Sequence, residues 1–482
     1  MPRFLMYFAF IALLLVSPLA AQESVPRFEP APCPYNYPAR YHVECGYVVT
    51  PEVHSDPDGA AIRVMVAIFP ARSSTPAEPV IYLQGGPGSS GMARFAGGLD
   101  GFGEAITNEH AYILLDQRGI GHSLPSLDCP EIQAMHDNAL GGAACHERLI
   151  AEGVNIPAFN TVESAGDVIA VADALGYETI SLLGSSYGST LAFTVMRHYP
   201  ERLRAVILEG VTPPEVDLMT SWADSMQGAW AQMVADCASS RRCSGAYPNL
   251  DGMLTEVVTR LNAEPLEATI PNPVTGEDAQ ITLTGTLLLQ AMQSAFYRYD
   301  YIPQIPLLIA ALYTGNLEPI MQLGTQLTAQ SSIDTQSEGA FYVMRCSDDV
   351  LTTTPEADAA AQAAVEPMFT EAFGDTYSSW EPTCALWGTQ LDPVENTPVI
   401  SNVPTLMLNG AYDPVTPAKW ADAAAENLIY GYSFTFPEST HGVYPDRCAT
   451  GILRAFLSDP YTAPDATCIE EYIGVGFRLP PQ

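Results

Sequence analysis

The clearest candidates for catalytic residues lie in one short segment, the pentad GSSYG from Gly184 to Gly188. An apolar run, Ile180 to Leu183, precedes it, and a segment of helical character, Thr190 to His198, follows it. A Gly-x-Ser-x-Gly pentad between a strand and a helix is typical of a nucleophile elbow, a tight turn that raises one serine hydroxyl above a sheet. An incidental glycine turn is the alternative. The flanking elements favour the elbow, with Ser186 as the predicted nucleophile.

A serine hydroxyl needs a general base, and the base needs an acid that orients it. In elbow-type hydrolases these groups follow the serine in the order acid, then histidine. Of the eight histidines, only His441 comes after His198. His198 falls on the helix that leaves the elbow and is interpreted as structural. His441 follows a strand-like segment, 432–436, so we predict that it is the base rather than a surface histidine.

The predicted acid is Asp413, in the loop that follows the strand-like segment Thr405 to Leu408. An aspartate before a proline is also common in ordinary turns. The position of Asp413 one strand before His441 favours the catalytic interpretation.

Acyl transfer further requires donors for the oxyanion that develops in the transition state. One predicted donor is the backbone N–H of Tyr187, the residue after the nucleophile. The other is expected from the segment QGGPG, residues 84–88, which follows the apolar run Val80 to Leu83. Pro87 has no N–H, so Gly85 or Gly86 must donate. A merely flexible glycine turn is the alternative.

These residues must be positioned by strands and helices that alternate along the chain. Strand-like segments alternating with helical ones predict an α/β fold with a mostly parallel sheet. One helix is predicted over Thr161 to Leu175, with Asn160 as its N-cap and Gly176 at its end. The other predicted strands are Ala61 to Phe69, Ala111 to Leu115 and Ala205 to Leu208.

The pattern changes after Gly210, because the next strand of this kind begins at Thr405, about 200 residues further along. A simple crossover needs only about 10–12 residues. We therefore predict a large, mainly helical cap inserted before the last strands, with one short β-like piece, Ala279 to Leu283. The predicted domains are a signal peptide (1–21), the first part of the core (22–212), the cap (213–396) and the C-terminal part of the core (397–482).

The N-terminal segment resembles a signal peptide, because Arg3 precedes an apolar stretch and Ser17 to Ala21 offers a cleavage region. The apolar stretch is short for a membrane span. We expect an exported protein, periplasmic or extracellular.

The ten cysteines fit that compartment, since their number is even and none forms a Cys-x-x-Cys metal pair. Pairing neighbours along the chain predicts five disulfides, and buried free thiols are the alternative. The predicted pairs are Cys33–Cys45, Cys129–Cys145, Cys237–Cys243, Cys346–Cys384 and Cys448–Cys468.

The formal net charge of −35 argues against nucleic acid or an anionic membrane as a partner. Most of the carboxylates are expected to hydrate the surface. No metal-ligand pattern is visible in the sequence, and the predicted chemistry needs no cofactor.

Three motifs together resemble the proline iminopeptidase and tripeptidyl aminopeptidase group of α/β-hydrolases, in its secreted branch. They are the GGPG segment from Gly85, the elbow, and the segment DQRG at 116–119 with Gly121 and Ser123. Supporting matches are ECGY at 44–47, CSD at 346–348 and CALW at 384–387. Gln84 departs from the group, in which many members have histidine before the glycines.

The resemblance implies an α/β-hydrolase fold and a serine peptidase that removes amino acids or short peptides, including tripeptides, from a free N-terminus. Such a substrate requires an anionic site for its ammonium group, and either Glu209 or Asp348 could supply it. A structural or solvated carboxylate is the alternative for each. Asp116 and Arg118 are interpreted as a structural pair that braces the oxyanion loop. The competing functions are a carboxylesterase without a free-amine requirement and an inactive hydrolase fold used for binding.

Overall fold

The fold is organised around a mixed sheet of nine strands. The structure, a computed structural model, describes residues 25–271, 278–319, 321, 336–374 and 376–480. The predicted signal peptide, residues 1–21, lies outside these ranges. Along the sheet the strand order is β1-β2-β3-β5-β4-β6-β7-β10-β11. The strands are β1 Arg27–Pro30, β2 Glu44–Pro51, β3 Ala61–Phe69, β4 Ala77–Leu83, β5 His110–Asp116, β6 Ile180–Ser185, β7 Leu203–Glu209, β10 Thr405–Gly410 and β11 Gly431–Phe436.

The sheet is antiparallel at its N-terminal edge and parallel elsewhere. β1, β2, β3 and β5 pair in antiparallel fashion, whereas β5, β4, β6, β7, β10 and β11 are parallel neighbours. This arrangement confirms the predicted mostly parallel α/β sheet. β1 and β2 were not predicted, because their residues lack the long apolar runs that mark a strand buried on both faces. The described stretch before β2 contains β1 and one turn of 3-10 helix, Ala39–Tyr41.

The helices before β7 cover both faces of the sheet's central strands. The predicted helix 161–175 is present as α5, and the Asn160 side chain accepts a hydrogen bond from the backbone N–H of Glu163 at 3.0 Å, as an N-cap does. Gly176 follows the helix with φ of +78°, a conformation that favours glycine. Among the described residues before β7, the helices are α1 Gly91–Arg94, α2 Gly101–Ile106, α3 Pro130–Met135, α4 Asn138–Ala151, α5 Thr161–Ala174 and α6 Tyr187–His198.

Between β7 and β10 the described residues are mainly helical, as predicted for an insertion. A separate two-stranded antiparallel sheet, β8 Leu266–Pro271 and β9 Asp278–Leu283, interrupts the helices. The exact limits of the insertion, 213–396, stay a prediction. The helices are α7 Leu218–Ser239, α8 Arg241–Ala246, α9 Leu250–Ala263, α10 Gly285–Phe296, α11 Ile305–Tyr313, α12 Glu338–Asp348, α13 Pro355–Ala363, α14 Pro367–Phe373 and α15 Thr376–Trp387, and α16 Ala418–Ala425 and α17 Arg447–Ser458 follow β10 and β11.

The helices of this region divide between two hydrophobic cores. Residues of α7, α9, α10, α11 and α14 pack on one another, with Trp230, Leu254 and Phe296 among the buried side chains. α12 and α15 instead contribute Val343 and Trp387 to the core that also contains sheet residues. Because α12 shares that core, it has a fixed position relative to the strands.

The ten cysteines form five disulfides, and these are the five pairs predicted from neighbours along the chain. One of them, Cys346–Cys384, joins α12 to α15. Within the described ranges, no helix combines the length and the apolar character that crossing a membrane would need.

Candidate active site

Ser186 lies in the turn between β6 and α6 with φ of 56° and ψ of −124°. A positive φ is uncommon for a residue other than glycine and persists only where the surroundings hold it. The Ser186 backbone N–H donates to the carbonyl of Glu209 at 2.8 Å, and the Ser186 carbonyl accepts from the backbone N–H of Ser189 at 2.7 Å. These bonds keep the turn in the conformation of a nucleophile elbow.

The glycine that ends the pentad is required by a close approach between α6 and β4. A Cβ atom on Gly188 would lie 2.0 Å from the backbone carbonyl oxygen of Leu83. No side chain fits at that distance, so the packing of the helix against the strand explains this part of the motif.

Asp413 and His441 are hydrogen-bonded through Oδ2 and Nδ1 at 2.9 Å. Asp413 is buried, and its Oδ1 accepts from the backbone N–H groups of Val415 and Thr416 at 2.9 and 2.8 Å. Burial lowers the pKa of His441, but the charge of Asp413 and its hydrogen bond outweigh this effect, so the pKa of His441 is raised overall. The pair therefore has the arrangement of an oriented general base and its acid.

Thr416 belongs to the same site and was not predicted. Its hydroxyl donates to Oδ2 of Asp413 at 2.6 Å and lies 3.0 Å from Nδ1 of His441. The sequence offered one indication of this contact, a threonine three residues after an aspartate. At this spacing an aspartate side chain commonly accepts hydrogen bonds from the backbone that follows it.

Ser186 and His441 both border the end of β7. Glu209 accepts the hydrogen bond of the Ser186 backbone, and a Cβ atom on the next residue, Gly210, would lie 3.0 Å from Cε1 of His441. The ring of Tyr297, at the end of α10, packs edge-on against the His441 ring with centroids 4.9 Å apart. The insertion therefore contributes to the surroundings of the predicted base.

The predicted oxyanion loop, residues 84–88, packs directly on the elbow. A Cβ atom on Gly85 would lie 2.6 Å from Cβ and 3.3 Å from Oγ of Ser186. Tyr187 is the first residue of α6, so its backbone N–H has no partner within the helix. Both predicted sources of oxyanion donors thus lie next to the predicted nucleophile.

Asp116, the last residue of β5, braces the segment that follows this loop, but one detail of the prediction is wrong. Asp116 accepts from the Ser90 hydroxyl at 2.6 Å and from the backbone N–H of Met92 at 3.2 Å. Arg118 does not form the expected pair with Asp116; it pairs with Asp167 of α5 through two bonds of 2.6 and 2.8 Å. The chain leaves β5 after Asp116, so Arg118 lies against α5 instead.

Glu209 borders a pocket of about 410 Å³ that His441 also lines. Its Oε1 accepts from the backbone N–H of Val443 at 3.1 Å. Burial, reinforced by the charge of Asp100, raises the pKa of Glu209 to about 7. Arg94 lines the same pocket and lies 3.7 Å from Asp100.

Asp348 borders a different cavity of about 20 Å³, a space suited to about one water molecule. It accepts a hydrogen bond from the Thr161 hydroxyl, which also lies 2.7 Å from the hydroxyl of Tyr187. Burial raises the pKa of Asp348 to about 7. These contacts support the side of the elbow and leave no room for a substrate residue.

Among the described residues, three side chains of metal-binding type come together at Cys129, Glu131 and Cys145. The two sulfur atoms share a disulfide, so this group offers no thiolate ligand.

The model of the alpha/beta hydrolase fold family matches residues 78–447. The chain therefore belongs to the α/β hydrolase fold family, in the group of the tripeptidyl aminopeptidases and proline iminopeptidases.

Three relatives indicate the kind of hydrolase. Serine protease Hip1 of Mycobacterium tuberculosis is 25% identical over 467 residues, which cover 87% of this chain and 86% of that protein. The tripeptidyl aminopeptidase of Streptomyces lividans is 26% identical over 39% of this chain and 40% of its own length. The proline iminopeptidase of Neisseria gonorrhoeae is 25% identical over 43% of this chain and 54% of its own length. The chain is accordingly a peptidase-type α/β hydrolase.

Proposed function

We propose that this chain is an exported serine aminopeptidase that releases N-terminal amino acids or short peptides, up to tripeptides, through an acyl-enzyme on Ser186. The observation that carries the proposal is the Asp413–His441 hydrogen bond of 2.9 Å beside the elbow. The names of the relatives support a peptidase, and two of them support action at the N-terminus. The five disulfides support export.

In the proposed mechanism, Asp413 holds Nδ1 of His441, which leaves Nε2 to accept the proton of the Ser186 hydroxyl. The serine oxygen attacks the peptide carbonyl, and the oxyanion accepts hydrogen bonds from the backbone N–H groups of Tyr187 and Gly86, with Gly85 as the alternative donor. The C–N bond breaks as His441 returns the proton to the leaving amine. Water then hydrolyses the acyl-enzyme by the same steps, releasing the N-terminal product.

Recognition of the free N-terminus is assigned to Glu209 in preference to Asp348. Glu209 borders the pocket shared with His441, whereas Asp348 borders a cavity of about 20 Å³. An ammonium group in that pocket favours the ionised form of Glu209, because an opposite charge nearby stabilises a carboxylate. The Asp100 carboxylate adds to the negative potential there, and the Arg94 guanidinium, 3.7 Å from Asp100, offsets part of it. The expected partners are peptides with a free N-terminus.

The test compares the wild type with Ser186→Ala on prolyl, alanyl and tripeptidyl anilides, each free and N-acetylated, together with a simple acyl ester. Serine-dependent cleavage of the free anilides but not of the acetylated ones is the expected result. Equal rates on free and acetylated anilides, or hydrolysis of the ester alone, would instead indicate a carboxylesterase-type hydrolase. Hydrolysis that survives in Ser186→Ala would remove Ser186 from the mechanism.

A further inference from the structure

Three consecutive carbonyl groups of the oxyanion loop accept hydrogen bonds from one short stretch of the helical insertion. The Gly86 carbonyl accepts from Nη2 of Arg345 at 3.0 Å. The Pro87 carbonyl accepts from Nε2 of Gln336 at 2.9 Å, and the Gly88 carbonyl accepts from the backbone N–H of Ser337 at 2.9 Å. The stretch 336–345 includes most of α12 and lies about 250 residues beyond the loop in sequence.

The two segments also pack without a gap. A Cβ atom on Gly88 would lie 2.7 Å from the carbonyl oxygen of Ser337. The Ser337 hydroxyl donates to the carbonyl of Gly119 at 3.0 Å, which ties the same stretch to the turn after β5. Both Ser337 and Arg345 are buried. The conformation of the oxyanion loop is therefore stabilised by direct contacts with the insertion.

Arg345 is itself held in place within α12. Its Nη1 donates to Oδ2 of Asp349 at 2.7 Å, and both side chains are less than one tenth exposed. A buried guanidinium is unfavourable unless it is paired and its donors are used. The adjacent Cys346 links α12 to α15 through a disulfide. The guanidinium thus has one position, from which one arm reaches Asp349 and the other reaches Gly86.

We propose that Arg345 is a positioning residue for the oxyanion hole, and that the insertion thereby completes the catalytic site. The physical reason is the composition of the loop: consecutive glycines have many accessible conformations, and a hole of fixed geometry requires that one be selected. The bond from Arg345 to the Gly86 carbonyl restrains the dihedral angles of Gly86, whose N–H is the proposed donor. The inference rests on the proposed function, because it concerns the oxyanion hole of the same site.

A positioning role differs measurably from a role in substrate binding. Oxyanion donors act on the transition state, so their misplacement lowers kcat and leaves KM nearly unchanged. It also weakens binding of an amino-boronic acid, because the tetrahedral serine adduct of such a compound is anionic and places a boron-bound oxygen in the hole. A purely structural role of Arg345 would lower thermal stability without this selective loss.

The experiment uses the full chain with Arg345→Met, Arg345→Lys and a matched control, Arg260→Met. In the wild type, Arg260 also donates to a backbone carbonyl of the insertion, that of Leu312 at 2.6 Å, away from the elbow. Arg345→Met is expected to lower kcat about 10- to 100-fold, somewhat less than the loss of an oxyanion donor itself. Boronate affinity should fall by a similar factor and KM should stay within about twofold. Arg345→Lys should recover part of the loss, and Arg260→Met should match the wild type.

The proposal is overturned if folded Arg345→Met keeps wild-type kcat and boronate affinity, or if Arg260→Met shows the same loss. Should Arg345→Met fail to fold, Arg345→Lys and Gln336→Leu are measured, since each alters one anchor of the loop. A selective fall in kcat in Arg345→Lys would support the proposal, and normal kcat in that variant would reject it even if Gln336→Leu loses kcat. The proposed function fails separately, if the Ser186→Ala comparison shows no serine-dependent hydrolysis by the wild type.

Discussion

The backbone of Ser186 is hydrogen-bonded to that of Glu209, with the serine N–H donating to the glutamate carbonyl at 2.8 Å. The carboxylate of the same glutamate accepts from Val443, two residues after His441, at 3.1 Å. One residue at the end of β7 therefore contacts the segments that carry the predicted nucleophile and the predicted base. It also lines the pocket beside them.

Replacing Glu209 by glutamine is expected to abolish the preference for a free N-terminus. The substitution keeps the size of the side chain but removes the charge that would attract an ammonium group, so KM for free anilides should rise about 10-fold or more. Ratios of kcat/KM for free and acetylated anilides measure the preference. Asp348→Asn is the matched comparison and should keep the ratio. If Asp348→Asn abolished the preference for free anilides and Glu209→Gln kept it, the ammonium site would be assigned to Asp348 instead.

The pH dependence of ligand binding gives a second test of Glu209. Burial raises the pKa of Glu209 to about 7, so the carboxylate gains its charge as the pH rises through that value. The ligand loses its own charge above about 8, where α-amino groups deprotonate. Binding of an amino acid amide to Ser186→Ala, measured by calorimetry, should therefore be strongest between these two values. A Glu209→Gln background should lack the rise through about 7, and an unchanged rise there would reject the assignment.

Asp413→Asn should lower kcat by about three to four orders of magnitude with little change in KM, because the histidine loses its orienting acid. The charge of Asp413 raises the pKa of His441, and burial opposes it. Without that charge the pKa of His441 falls, so the acidic limb of the pH profile of residual kcat should move to lower pH. Steady-state rates across the pH range measure both effects. An acidic limb that stays in place would exclude His441 as the titrating base.

Thr416→Val should lower kcat about 10-fold. The hydroxyl of Thr416 donates to the Asp413 carboxylate at 2.6 Å, and valine keeps the shape of the side chain without this donor. A hydrogen bond to a charged group contributes about 1.5–3 kcal/mol, and part of it is retained by the backbone donors of the same carboxylate. Stopped-flow or steady-state kinetics on the best anilide provide the measurement, and wild-type kcat would show that the hydroxyl is dispensable.

Gly188→Ala should prevent stable folding of the elbow, because its methyl group would lie 2.0 Å from a backbone oxygen of β4. The clash would be between backbone atoms of α6 and β4, which cannot move apart as a flexible side chain could. We therefore expect the free energy of unfolding to fall by more than about 3 kcal/mol. Gly228→Ala is the control, since its Cβ on the exposed face of α7 meets no atom within 4 Å. There alanine should stabilise by about 0.5–1 kcal/mol. Thermal or denaturant unfolding separates the two outcomes.

Much of the central sheet could be predicted from the sequence, because strands buried on both faces appear as continuous apolar runs. The predicted limits of β3 agree with the structure, and β6 and β10 each extend two residues beyond their predicted C-terminal ends. β1 and β2 were missed because antiparallel strands near an edge carry a weaker pattern. The pairing of Asp116 with Arg118 was wrong because nearness along a loop does not determine which element a side chain contacts.

The sequence by itself determined the family motifs, the order of the predicted serine, acid and histidine, and the pairing of neighbouring cysteines. These depend on local turns, buried runs and short spacings, which the chain carries within a few residues. Only the tertiary structure decided that Thr416 contacts Asp413, that Glu209 rather than Asp348 faces a pocket of useful size, and that Arg345 reaches Gly86. The last contact joins residues 259 positions apart. No local pattern encodes such a contact, because it arises only when the insertion packs back onto the sheet.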